Sequence, residues 1–85
     1  MSKYNGMKKQ IAKKAIILYI LKMLEKGSSK ENPITFTNMA KVLKSMDIPC
    51  DRKTVGRNVQ YLIDFGYPIV KLDGGGCYLD KDKPF

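Results

Sequence analysis

Histidine and tryptophan are absent from the chain, cysteine occurs only twice, and no apolar run is long enough to cross a bilayer. Without histidine, the usual proton carrier near neutral pH is missing. There is no paired-carboxylate spacing, and no Ser or Cys stands in a recognisable nucleophile setting. The chain is therefore not expected to be an enzyme, and no cofactor is expected. Cys50 and Cys77 are isolated, without a Cys-x-x-Cys pair, which argues against a zinc site. They read better as small buried hydrophobes. One disulfide between them stays open as an alternative, but five Met in a Lys-rich chain fit a compartment that keeps thiols reduced. The longest apolar run covers residues 15–21. Lys22 and the pair Glu25-Lys26 follow it, where a signal peptide would need a small-residue cleavage site. The expectation is a soluble, cytoplasmic protein.

What the chain does have is positive charge. Sixteen Lys and Arg against eight Asp and Glu leave +8 over 85 residues. The excess is uneven. Residues 1–26 hold seven lysines and one acid, Glu25, whereas from Gly66 onward three lysines balance three aspartates. That asymmetry suggests one charged face. Such a face favours polyanions, because each neutralised phosphate releases condensed counterions. Lysines that merely solvate the surface are the plain alternative. At this length the chain holds a single domain with a thin core.

Residues 1–7 are polar, include Gly6, and are expected to fray. Residues 8–26 contain no Pro or Gly and are expected to form the first helix. Apolar positions recur there at helical spacing: Ile11, Ala15 and Leu18 on one line, and Ala12, Ile16, Tyr19, Ile20, Met23 and Leu24 on another. A helix apolar around more than one face is either deeply buried or keeps a face for a partner, such as a second copy of the chain. Gly27 is the expected C-cap, and residues 27–33 form a loop. Ile34, Thr35 and Phe36 suit one short strand. Thr37 is the expected N-cap of a second helix, 38–46, with Met39, Val42, Leu43 and Met46 as its apolar face. Pro49 breaks the chain, Asp51 is placed to cap a third helix, Arg52–Phe65, and Gly66 sits where a C′ glycine belongs. Two β-prone runs around Asp73-Gly74-Gly75-Gly76 then make a hairpin over residues 67–80. The order of helix, short strand, helix, turn, helix and hairpin is that of an α+β winged helix-turn-helix, with residues 37–65 as its helix-turn-helix.

The third helix is the informative stretch. At about 100° per residue, Val55, Val59, Leu62 and Ile63 share a core side. Lys53, Arg57, Gln60 and Asp64 collect opposite, flanked by Thr54, Gly56 and Tyr61. Arg57 suits guanine O6/N7 and Gln60 suits adenine N6/N7. Arg52, Lys53 and Thr54 lie where the helix dipole favours phosphate. Asp64 is expected to stay out of the groove at the far end. Gly56 is costly inside a helix, by about 1 kcal/mol against alanine, and close approach of another surface is one reason for it. An ordinary solvated surface is the other reading of this face. In helix-turn-helix docking the second helix crosses the DNA backbone, which brings in Thr37, Asn38 and Lys41. Lys71 is the one cation near the hairpin tip, and Asp73 partly offsets it. The three glycines there read as a tight turn, since a strand and not a helix follows them.

The stretches DRKTVGRNVQYLIDFGYPIV (residues 51–70) and GGGCYLDKDKPF (residues 74–85) resemble the N-terminal winged-helix domain of bacterial WYL-domain transcriptional regulators, and more weakly DeoR-type regulators. The resemblance covers roughly the last 50 residues, and the first helix matches only in pattern. It implies sequence-specific binding of double-stranded DNA through Arg52, Lys53, Thr54 and Arg57, and dimeric action on an operator. Two positions depart from the pattern: Gly56 replaces a large residue, often Tyr, and Asn58 replaces an acid. The ligand-sensing domain of those regulators has no counterpart in the 85 residues. The expectation is either a DNA-binding module cut from a longer regulator or a whole small factor of phage or mobile-element type. The alternative of another class is a small phage-type inhibitor that turns a winged helix onto a protein or ribonucleoprotein.

Overall fold

The computed structural model describes residues 15–83. The segment 1–7 expected to fray, and residues 8–14 of the expected first helix, lie outside that range. Within it the chain runs α1 (Ile16–Gly27), β1 (Ile34–Thr35), α2 (Phe36–Ser45), α3 (Arg52–Phe65), β2 (Ile69–Lys71) and β3 (Gly76–Leu79). This is the expected α+β winged-helix order. None of the described helices is long and apolar enough to cross a membrane.

Burial in α1 falls on Ile16, Ile20 and Leu24, spaced four apart along one stripe. Leu18, expected on an apolar line, is instead 64% exposed. It is rotated away from that stripe, and no described element covers it. The helix runs through Gly27 and stops at Ser28, whose backbone is extended, so Gly27 is not the C-cap. Ser28 is the more consequential residue. Its buried hydroxyl donates to the Leu24 carbonyl at 2.6 Å and accepts the Leu79 N–H at 3.1 Å, so one atom ties the end of α1 to the last strand.

The second helix starts earlier than expected. Thr35, not Thr37, is its N-cap, and its Oγ1 accepts the Asn38 N–H at 3.1 Å. The reason lies in the sheet. Thr35 pairs with Gly76 as the last residue of β1, and that extended backbone is also the conformation an N-cap requires. Phe36 therefore opens the helix and does not belong to the strand. Met39 and Leu43 are buried, but Val42 and Met46 are 41% and 46% exposed, so half of the expected apolar face looks outward. Asp47 takes a left-handed backbone (φ 61°) that lets the Ile48 N–H return to the Leu43 carbonyl and buries Ile48.

The third helix matches expectation at both ends. The Asp51 carboxylate accepts the Thr54 N–H at 2.8 Å, and Gly66 closes the helix at φ 124° with its N–H on the Ile63 and Leu62 carbonyls. Val55, Val59 and Leu62 are buried, and Ile63 packs half-buried against the core. The helix packs on both α1 and α2. The three strands form one antiparallel sheet in the order β1-β3-β2. The central strand thus comes last in sequence, and its Cys77 sits fully buried in the core. Gly74 and Gly75 turn the hairpin at φ 90° and 88°, while Gly76 belongs to the strand and not to the turn.

Both cysteines are free thiols. Burial pushes the Cys77 thiol up from 9.0 to about 11, with Lys71 opposing slightly. A thiol that holds its proton more tightly when folded loses stability once the unfolded chain starts to deprotonate. Folding stability should therefore fall as pH rises from 9.0 to about 11. That component should vanish in Cys77→Ala, measured as the difference between the two urea-denaturation series. Removing the Ser28 hydroxyl strands the Leu79 N–H, so Ser28→Ala should cost about 1–3 kcal/mol in the same assay.

Candidate nucleic-acid interface

A single aromatic ring organises the candidate surface. Phe36, at the start of α2, lies against α3 where Gly56 has no side chain. A Cβ on Gly56 would stand 3.3 Å from Cε2 and 3.4 Å from Cδ2 of that ring. The close approach that Gly56 permits is thus made by the protein's own aromatic ring. The Phe36 N–H also donates to the Gly75 carbonyl at 3.0 Å, which draws the hairpin turn to the same point. The first turn of α2, the first half of α3 and the turn between β2 and β3 therefore meet at one residue.

Around this junction the expected side chains divide into two groups. Arg52, Lys53, Arg57 and Tyr61 of α3 are exposed, as are Thr37, Asn38 and Lys41 of α2 and Lys71 of β2. Tyr61 is 52% exposed, so much of its ring is open to solvent. The remaining three are half-buried. Gly56 faces Phe36, and Thr54 is half-buried, with its carbonyl accepting the Asn58 Nδ2 at 2.8 Å. Gln60 is half-buried and bonded at both ends of its amide.

The N-terminus of α3 is less open to phosphate than its position suggests. Hydrogen bonding from Thr54, chiefly its backbone N–H, holds the Asp51 carboxyl below its ordinary range, and the Lys53 charge adds to this. The carboxylate is ionised at neutral pH and occupies one of the amides an anion would use. The exposed cations beside this end are the Arg52 and Lys53 side chains.

The wing strand reaches back to α3 through three polar groups. Lys71 Nζ donates to Gln60 Oε1 at 2.6 Å, and Gln60 Nε2 donates to Asp64 Oδ1 at 2.9 Å. Asp64, at the far end of the helix, is part of this chain. Sequence periodicity places Gln60 and Asp64 on one face but holds no sign of Lys71, eleven residues from Gln60. It is equally silent on the roles of Ser28 and Phe36. A serine four residues after a buried leucine is a local hint for the first; no sequence signal pairs Phe36 with Gly56.

Three helices, a β1 strand paired into the hairpin sheet, and an outward basic face on the third helix define a winged helix, a fold often used to bind DNA. Compared with protein-family models, curated proteins and solved structures, the chain has no match.

The contact between Phe36 and Gly56 is open to test. A β-branched side chain at 56 must displace the ring, so Gly56→Val should lower stability by about 1–3 kcal/mol. Phe36→Leu should recover part of that loss. Additive costs in a double-mutant cycle would show that the two positions do not meet.

Proposed function

We propose that this protein binds double-stranded DNA sequence-specifically, with α3 in the major groove. The observation that carries the reading is the exposed set Arg52, Lys53, Arg57 and Tyr61 on the outer face of α3, beside Thr37, Asn38 and Lys41 at the start of α2. In helix-turn-helix docking these are the recognition helix and the helix that crosses the backbone. Arg57, near the middle of the exposed face, is a base reader, with a guanidinium suited to guanine. Arg52, Lys53 and Lys41 supply phosphate contacts, and the +8 net charge supplies non-specific attraction. The resemblance to WYL-type regulators supports a role in transcription regulation. Its usual large residue at position 56 would crowd the Phe36 ring, so base preference should differ from that family's. Dimeric action is part of the same resemblance, and exposed Leu18 on α1 offers apolar area for it.

Duplex binding should weaken steeply with salt, and Arg57→Ala should cost about 1–3 kcal/mol while relaxing preference at one base position. Lys41→Ala should weaken all sequences alike and shallow the salt slope. Titration of labelled duplex at several salt concentrations measures both. The exposed apolar residues Leu18, Val42 and Met46 favour the second reading, a winged helix that docks on a protein or ribonucleoprotein. That reading gains if duplex affinity is flat in salt and unchanged by Arg57→Ala.

A further inference from the structure

We infer that the Lys71–Gln60–Asp64 chain fixes the direction of the Gln60 amide and makes Gln60 read an adenine in one strand orientation only. The inference rests on the duplex-binding reading above. Its basis is chemical. A lysine ammonium donates and never accepts, while an ionised aspartate accepts and never donates. Lys71 Nζ stands 2.6 Å from Oε1, and Asp64 Oδ1 stands 2.9 Å from Nε2. Turning the amide over would set an NH2 against an ammonium and a carbonyl against a carboxylate. Oε1 is therefore held toward the wing strand and Nε2 toward the last turn of α3.

Each bond leaves capacity for a base. The amide oxygen keeps a second lone pair and the nitrogen keeps a second hydrogen. Adenine offers N7 as acceptor and its N6 amino group as donor, and a glutamine amide matches both at once. Along the major-groove edge N6 lies toward the middle of the pair and N7 toward adenine's own strand. Their order thus reverses between A·T and T·A. An amide free to rotate accepts either order. An amide held with its oxygen on the wing side accepts only adenine whose N6 faces the wing. Lys71 and Asp64 are positioning residues here, and their effect appears as pair orientation, not simply as affinity.

The test is selection of bound sequences from random duplex DNA. Gln60→Ala marks the base pair concerned by losing preference there. The wild-type chain should favour one orientation of A·T at that pair by on the order of tenfold. The charge-conserving exchange Asp64→Lys/Lys71→Glu reverses the demands on the amide and should invert the preference to T·A. Asp64→Ala/Lys71→Met should retain A·T and T·A about equally. Unchanged orientation in variants that still bind duplex overturns the inference while leaving duplex binding intact. A wild-type chain that enriches no duplex overturns both. The free protein gives a separate reading should the exchange variant fail to fold. The Gln60 side-chain NH2 resonances should be displaced from those of a solvent-exposed glutamine and should return toward them in Asp64→Ala. Resonances already at the exposed position in the wild type overturn the inference.

Discussion

The contact between the Phe36 ring and the bare backbone at Gly56 is the constraint on which the rest of the surface depends. It fixes the separation of α2 and α3 near their N-terminal halves, where a helix-turn-helix must be accurate. A helix-interior glycine costs about 1 kcal/mol against alanine, and the ring that fills the space offsets part of that by burial. The same residue fastens the hairpin turn, because its N–H meets the Gly75 carbonyl. Helix spacing and wing position are therefore not independent variables. A shift of Phe36 would move both, and with them the arrangement of Lys41, Arg57 and Lys71.

Local chemistry makes α3 legible from the amino-acid sequence alone. Asp51 and Gly66 mark its ends through interactions reaching only three or four residues, and Val55, Val59 and Leu62 repeat at helical spacing. The start of α2 is harder to read, because two threonines offer the same capping hydroxyl. The choice of Thr35 over Thr37 follows from its pairing with Gly76, which is distant in the chain and invisible to a local pattern. Val42 and Met46 pass for core residues for a related reason: periodicity shows a stripe but not how wide a neighbouring helix covers it. Among the site residues, the exposed cations are legible as a charged face. The contacts of Gly56 with Phe36 and of Gln60 with Lys71 are not, since each depends on a partner that only folding brings near.

Charge at the site is more evenly matched than its composition suggests. Asp51 caps the N-terminus of α3, and Asp64 ends the chain of bonds that begins at Lys71. Both carboxylates accept from neutral donors and keep their charge, which offsets part of that of the arginines and lysines on the outer face. Acidic groups held in this way also lend direction to neighbouring side chains.

The placement of β3 has a consequence for how the protein is made. Among the described residues β1 pairs only with β3, and the Ser28 hydroxyl, β1 and the Cys77 position in the core all wait for the stretch Gly76–Leu79. A chain emerging from the ribosome can form its helices in turn, but the sheet cannot close until its final strand has cleared the exit. Until then the C-terminal end of α1 is untethered and one side of the core is open. The fold is thus completed from its last strand inward, and a chain truncated before residue 76 would retain α3 without the sheet that secures it.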